Sequence, residues 1–160
     1  FLLKLEVGYP SLHDEQEILR RRRERQQDEV HIQAVTDSQT LLSMREAVEK
    51  VFVEQDLEAY ITQLVHATRT DKRVAVGASP RGSLALLKLA RAQAILQGRD
   101  YVLPDDIKAF VHPALSHRLI LQPEYWLQQR AADEVLERIL ATVPVPVNGN
   151  GAVGGWERPD

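Results

Sequence analysis

The sequence of 160 residues is long enough to form one domain with a buried core. Its 44% hydrophobic and 27% charged residues are typical of a globular protein, and its net charge of −3 excludes a general attraction to nucleic acid or an anionic membrane. The lack of cysteine excludes disulfide and thiol chemistry, and no apolar run reaches the roughly 20 residues that a transmembrane helix needs. We therefore expect a cytoplasmic protein with neither a membrane nor a nucleic-acid partner.

The first seven residues, Phe-Leu-Leu-Lys-Leu-Glu-Val, predict a short strand, and the following Gly8, Tyr9, Pro10 and Ser11 predict the turn that closes it. A single strand cannot form a sheet, so its partners are expected outside this sequence. Because the sequence also begins without methionine, we expect it to be a fragment of a longer protein.

Apolar spacing and capping residues predict helices along most of the remaining chain. They cover about residues 15–25, 37–51, 56–68, 80–97, 104–112 and 124–140. Residues 101–102 and 119–121 are expected to pair as a ribbon. The predicted fold class is mainly α: a helical bundle with a short N-terminal strand and a minor two-stranded ribbon. From residue 142 onward, proline and glycine predict a flexible tail, in which no contact is assigned to Trp156.

Two glycine patterns resemble nucleotide-binding motifs but lack the required context. Residues 149–154 match G-x-G-x-x-G with only six residues left for the helix that should follow, and Ser83 replaces the lysine that a P-loop needs after Gly82. The sequence contains no Walker A motif and no acidic Walker B strand. We therefore expect no catalytic residue and no Mg²⁺ ligand in this chain.

Other charged groups favour structural roles. The basic run at residues 20–25 predicts a solvated helix face, with a contact to another subunit as the alternative. Adjacent Asp105 and Asp106 fit the first turn of a helix better than acid–base chemistry. The histidines are scattered at positions that predict no metal site, although His117 is expected to form a structural hydrogen bond: His13, His31, His66, His112 and His117.

A possible anion site lies at the start of the helix after Ser79. Ser79 suits the N-cap and Pro80 suits the first helical position, where its missing N–H costs nothing. Arg81 then lies against the positive end of the helix dipole, which is unfavourable by roughly 0.3–1 kcal/mol. Free N–H groups together with a guanidinium could bind phosphate. A surface arginine that tolerates this small penalty is the alternative.

Four motifs in order give a resemblance to a known family. They are Gly-Ala-Ser-Pro-Arg at 77–81, Gly-Arg-Asp-Tyr-Val at 98–102, Pro-Asp-Asp-Ile at 104–107 and His-Arg-Leu at 117–119. Residues 69–121 closely resemble the C-terminal lid of MoxR-type AAA+ ATPases. The resemblance implies that residues 1–10 are the last strand and hinge of a AAA+ core, 11–141 the helical lid, and 142–160 a tail.

The resemblance also implies functional roles. Arg81 would be the sensor-2 arginine that contacts the γ-phosphate of ATP, with Ser79 and Pro80 setting the helix start. Tyr9 and Pro10, at the hinge, would lie near the adenine, although a simple turn explains them equally well. The parent protein would use ATP and Mg²⁺, form a hexameric ring, work with a von Willebrand A domain protein and remodel a client, as a chaperone does.

Two alternatives remain open at this stage. The first is the lid of a magnesium-chelatase-type AAA+ subunit, whose helical lid would work in the same way. The second is a stand-alone helical module that binds a protein and no nucleotide. A P-loop encoded upstream of Phe1 would favour an ATPase over the module.

Overall fold

In the computed structural model, which describes residues 1–128 and 130–146, helices carry most of the chain. The α-helices within these residues are α1 (Leu12–Arg25), α2 (Ser38–Glu49), α3 (Gln55–Thr70), α4 (Pro80–Leu96), α5 (Pro104–Lys108), α6 (Val111–Leu115) and α7 (Ala131–Thr142). Single 3₁₀ turns occupy Ser116–Arg118 and Pro123–Tyr125. The mainly helical fold class is therefore confirmed.

The hydrophobic core lies between α3, α4, α6 and α7. Helix α3 has apolar residues at helical spacing, so one stripe faces inward while the opposite face stays in water. Helix α4 uses small residues on its inner face, which lets neighbouring helices approach closely. The largest fully buried side chains are Tyr60, Leu64, Leu86, Ile107, Leu115, Leu136, Val65, Val111, Val135 and Thr68.

The small sheet pairs different segments from those predicted. Strand β1 (Val74–Val76) runs antiparallel to β2 (Ile120–Leu121), with Val74 opposite Leu121. The predicted pairing of residues 101–102 with 119–121 is wrong in its first partner. Tyr101 instead forms a parallel bridge with Phe52. The pairing differs because the turn after α3 places β1 directly beside β2. The chain that follows α4 returns to the residues just after α2, so Tyr101 meets Phe52 and not β2.

Residues 1–11 adopt no regular secondary structure, so the predicted strand over Phe1 to Val7 is not formed. A strand needs a neighbouring strand to complete its hydrogen bonds, and none lies beside this segment within the described residues. The segment is attached instead by a backbone hydrogen bond from Lys4 N to Pro113 O, at 2.8 Å.

Helices α1 and α2 contribute no buried residue to the core. The side chains of Ser11 and Asp37 cap them, each accepting a hydrogen bond from a backbone N–H three residues later. Both helices expose apolar side chains, among them Leu12, Ile18, Leu19, Leu41, Leu42 and Met44.

Two arginines of the basic run of α1 are paired with acids on the helix itself. Glu17 receives hydrogen bonds from Arg20 and Arg21, which lower its pKa to about 2. Arg20 also reaches Glu24, at 2.6 Å. These exposed i,i+3 and i,i+4 pairs are the arrangement expected of a solvated helix face.

Two helix boundaries differ from the prediction for a local reason. Residues 104–112 were expected to form one helix, but α5 ends at Lys108 and α6 starts at Val111. A single helix that ran from α5 through α6 would place Pro113 in its interior, where proline removes a hydrogen bond and clashes with the preceding turn. With the break, Pro113 lies in the first turn of α6.

Helix α7 also starts later than predicted. It begins at Ala131, and its predicted first residues near 124 form a 3₁₀ turn.

The described residues include no helix of the length and apolarity required to cross a bilayer. The glycine-rich pattern at 149–154 and Trp156, both of the predicted tail, lie outside the described residues.

Candidate functional site

The start of α4 has the geometry that the sequence predicts, with one difference. Ser79 occupies the N-cap position and Pro80 the first helical position. The Ser79 side chain makes no capping hydrogen bond; its backbone carbonyl accepts one from Gly82 N, at 2.7 Å. Ser79 therefore begins the helix through its backbone, and its hydroxyl is not used as a cap.

Arg81 is exposed, and its side chain forms no hydrogen bond or ion pair with any other residue in the described part of the chain. It lies in the first turn of α4, where its own backbone N–H has no partner inside the helix, whereas Pro80 has no N–H and Gly82 N donates to Ser79 O. An internal carboxylate does not neutralise it, so the guanidinium is available to an anion.

The side chain of Arg81 lines an open groove of about 290 Å³, and two further basic side chains, those of Lys88 and Arg118, line it as well. Lys88 lies seven residues farther along α4, on the same side of the helix, and Arg118 follows α6. No carboxylate lines this surface, which we call the basic groove. Its lining residues are Phe1, Leu2, Arg81, Leu84, Ala85, Lys88 and Arg118.

Arg118 fixes the N-terminal segment at one edge of the basic groove. Its Nη2 donates to the carbonyls of Phe1 at 2.6 Å and Leu2 at 3.2 Å, and its Nε donates to Ala114 O at 2.7 Å. Burial lowers the pKa of the adjacent His117, and the charge of Arg118 lowers it further, while the Pro113 carbonyl opposes the shift.

Tyr9 and Pro10, the residues with a possible adenine contact, are both exposed and are not among the residues that line the basic groove. The structure therefore brings Ser79, Pro80 and Arg81 together at one helix start and leaves the other two candidates apart from them.

The loop before α4 is held by residues that the sequence analysis did not single out. Thr68 and Arg69, at the end of α3, hydrogen-bond to the backbone N–H and C=O of Ala78. Gly77 lies against the Arg69 backbone. The only sequence signal was the apolar spacing of α3, which marks Thr68 as inward-facing.

Two further motifs have structural roles. Arg99 forms two hydrogen bonds to the Asp106 carboxylate, which also accepts one from Leu103 N at 2.7 Å. Burial alone would raise the pKa of Asp106, but the Arg99 hydrogen bonds and charge outweigh it and lower that pKa. The prediction that Asp106 serves the helix start is confirmed, since its carboxylate is half of a capping box.

A larger pocket, of about 370 Å³, lies away from Arg81 and is mostly apolar. Its charged lining residues are the acids Glu54 and Asp56, which would repel a phosphate. The described residues also contain no group of three or more His, Cys, Asp or Glu side chains that could hold a metal ion. Of these two surfaces, the basic groove is the one whose charge suits an anion, and the described residues offer no candidate ligand set for Mg²⁺.

Comparison with known proteins identifies the region that carries these features. Residues 66–139 match the AAA lid domain family. The chain contains an AAA lid domain. Within it lie the start of α4, the Arg99–Asp106 pair and Arg118.

The relatives of this lid domain include MoxR proteins. The chain is 36% identical over 147 residues to YeaC of Bacillus subtilis, matching 92% of this chain and 46% of that protein. It is also 36% identical over 155 residues to the chaperone MoxR1 of Mycobacterium tuberculosis, matching 91% of this chain and 40% of that protein.

A solved structure shares the fold. A crystal structure of a proposed ATPase from Cytophaga hutchinsonii superimposes with a TM-score of 0.83 at 31% identity. The match covers 92% of this chain and 47% of the solved chain. The lid-containing chain thus spans less than half the length of these relatives, and the recognition of a MoxR-type lid region is confirmed.

Proposed function

We propose that this lid domain works with the ATP-binding core of a MoxR-type AAA+ ATPase and that Arg81 contacts the γ-phosphate of the bound ATP. The observation that carries the proposal is the state of Arg81: an exposed guanidinium in the first turn of α4 that no carboxylate in the described residues neutralises. The basic groove, with three cations and no acid, supports the same assignment.

The local electrostatics favour an anion at this position. A cation at a helix N-terminus is unfavourable by about 0.3–1 kcal/mol, and an anion bound between the guanidinium and the free backbone N–H of Arg81 reverses the sign of that interaction. Phosphate oxygens suit the planar donor pattern of arginine. Ser79 and Pro80 define where the helix begins and so where Arg81 lies. Tyr9 and Pro10 would contact the adenine from the connector before α1.

The chain's part in hydrolysis would be to bind and orient the phosphate. Mg²⁺ and the attacking water need carboxylates, so the core domain would supply them. Since the γ-phosphate is present in ATP and absent in ADP, the Arg81 contact favours the closed lid in one nucleotide state only. Such a difference is what drives hinge motion between domains.

The wider function follows from the relatives. One relative is named a chaperone, and we propose that lid motion in this protein remodels a protein client. The parent would be a cytoplasmic ring, hexameric by resemblance, with a von Willebrand A domain protein as partner. Because the named relatives are MoxR proteins, a MoxR-type core is favoured over a magnesium-chelatase-type core.

The stand-alone interaction module is the second candidate, and one observation favours it. Helix α1 buries none of its residues and exposes Leu12, Ile18 and Leu19, which leaves an apolar stripe for a protein partner. A AAA+ core or a neighbouring lid would cover this stripe in the first proposal as well.

Two measurements test the proposal. The coding sequence before Phe1 should encode a P-loop. In the full-length gene product, Arg81→Ala should lower kcat for ATP hydrolysis by about 100-fold. Arg45→Ala on α2 is the control, since it removes an exposed arginine that does not line the basic groove and should leave kcat unchanged. Unchanged turnover with Arg81→Ala would rule out the sensor role, and a gene without a P-loop would favour the module.

A further inference from the structure

We propose that Thr68 and Arg69 are positioning residues for Arg81, because they hold both backbone polar groups of Ala78 just before α4. This inference rests on the proposed function, since the position of Arg81 affects turnover only if Arg81 contacts the nucleotide. Nothing in the sequence pattern of the α4 motif includes these two residues, which belong to the end of α3.

The Thr68 hydroxyl both donates and accepts a hydrogen bond. The side chain is fully buried; its Oγ1 donates to Val65 O at 2.6 Å and accepts from Ala78 N at 2.9 Å. Ala78 is also fully buried. If the hydroxyl were removed, the Ala78 N–H would lose its partner in a place that water does not reach, which is unfavourable. The loop is therefore held to α3 at this atom.

Arg69 binds the backbone carbonyl of Ala78. Its Nε donates to Ala78 O at 2.8 Å, and the planar guanidinium fixes the direction of that bond. Two consecutive residues at the end of α3 thus determine both the position and the orientation of the Ala78 backbone.

Gly77 allows the loop to approach this closely. A Cβ at position 77 would lie 2.7 Å from both the Cα and the N of Arg69, which is far inside normal contact. Any side chain here would push the loop away from α3. The three contacts at Gly77, Thr68 and Arg69 act on the same short segment.

Little between Ala78 and Arg81 could absorb a displacement. Two residues intervene: Ser79, whose carbonyl accepts a hydrogen bond from Gly82, and Pro80, whose φ is fixed by its ring. On the far side, Gly82 lies so close to α6 that a Cβ would be 3.0 Å from Leu115 Cδ2. A shift of Ala78 therefore moves the first turn of α4, and with it the guanidinium.

The test uses ATP hydrolysis by the full-length gene product. Thr68→Val keeps the side-chain shape without the hydroxyl, and Arg69→Met removes the donor from an exposed residue that the core does not need. Each should lower kcat by about 10-fold, a smaller loss than the roughly 100-fold that a 1 Å misplacement can cause. Thr68→Ser restores the hydroxyl and should keep kcat near wild type.

Thr70→Val is the matched control. Its exposed hydroxyl donates to Ala67 O at 3.2 Å, also within the last turn of α3, but makes no contact with the loop. It should leave kcat unchanged. A tenfold loss with Thr70→Val as well would mean that any change at the end of α3 disturbs the fold, and would overturn the positioning role.

Double variants separate this inference from the proposed function. In an Arg81→Ala background, Thr68→Val and Arg69→Met should cause no further loss, because they act through Arg81. A further tenfold loss would overturn the positioning role. If Arg81→Ala alone leaves kcat unchanged, the proposed function itself fails; if only Arg81→Ala lowers kcat, the function stands and the positioning role fails.

A second readout needs no nucleotide. Amide hydrogen exchange of the full-length gene product without nucleotide should show faster exchange at Ala78 in Thr68→Val than in wild type, with the rest of α4 unchanged. Equal exchange at Ala78 in the two proteins would contradict the contact on which the inference depends.

Discussion

Arg99 and Asp106 form a two-point ion pair at the junction of α4 and α5. Arg99 Nη2 lies 2.6 Å from Asp106 Oδ1, and Nη1 lies 2.8 Å from Oδ2. The same guanidinium donates to Tyr101 O at 2.9 Å, so one side chain orders the whole turn between the two helices. The Arg-Asp-Tyr-Val and Pro-Asp-Asp-Ile motifs are thus joined physically.

Loss of this pair should destabilise the chain more than loss of an equally exposed arginine elsewhere. Arg99→Gln should lower the free energy of unfolding by about 3 kcal/mol, because it leaves the buried Asp106 carboxylate without its counter-ion. Urea denaturation followed by circular dichroism measures the change.

Arg91→Gln is the matched control for that variant. The side chains of Arg91 and Arg99 are both 20% exposed, but the partner of Arg91, Glu49, is 62% exposed against 6% for Asp106. Its loss should be no more than about 1 kcal/mol. Equal losses for the two variants would show that burial of the carboxylate does not determine the effect.

A methyl group at Gly77 should be costly because the neighbouring atoms are backbone. Gly77→Ala places a Cβ 2.7 Å from two Arg69 backbone atoms, so α3 and the loop must separate. We expect a loss of about 2 kcal/mol, the size typical of overpacking. Thermal unfolding measures the change. Gly8→Ala is the control: no atom lies within 4 Å of the added Cβ, so this variant should have almost no effect in the same experiment.

Removing the charge of Arg81 should stabilise the chain in the absence of nucleotide. In Arg81→Gln the unfavourable interaction with the helix dipole disappears, which should raise the free energy of unfolding by about 0.5 kcal/mol at low salt. Lys88→Gln, in the middle of α4, removes the same charge away from the helix end and should change it little. A lower stability of Arg81→Gln would contradict the absence of an internal partner for Arg81.

The stability of the fold should fall as the pH is lowered from about 6.5. Burial lowers the pKa of His117 below its ordinary value of about 6.5, and the positive charges of Arg118, the N-terminus and Lys4 lower it further. The unfolded chain then binds a proton that the folded chain does not, so stability is full above pH 6.5 and declines towards the lowered pKa.

His117→Gln tests this dependence. The variant should show a flatter profile of unfolding free energy between pH 7 and 5 than wild type, measured by chemical denaturation at each pH. The two slopes should agree above about pH 8, where His117 of the wild type binds almost no proton in either state. An unchanged slope below pH 6.5 would contradict the prediction.

The sequence predicted the helices well where local signals are strong. The start of α4 combines an N-cap serine, a proline at the first position and a periodic apolar face, and its boundaries agree with the structure within a residue. The break between α5 and α6 was missed, although Pro113 carries the signal. Pro113 lies one residue beyond the predicted helix, but its ring clashes with the preceding turn and so interrupts the helix before it.

The non-local contacts could not be predicted from spacing. The pairing of Val74 with Leu121 depends on how α3 ends and where α6 turns, and no short window of sequence contains both. The same holds for the site: Arg81 is identifiable from its own motif, whereas Thr68 and Arg69 meet Ala78 only after the loop has folded back.

The attachment of the N-terminal segment has a consequence for variation in this protein. Lys4 contacts Pro113 through main-chain atoms, and Arg118 contacts the carbonyls of Phe1 and Leu2. None of these bonds depends on which side chains stand at positions 1, 2 and 4. The junction therefore tolerates side-chain exchange there and is sensitive mainly to proline at position 4, which abolishes the amide hydrogen.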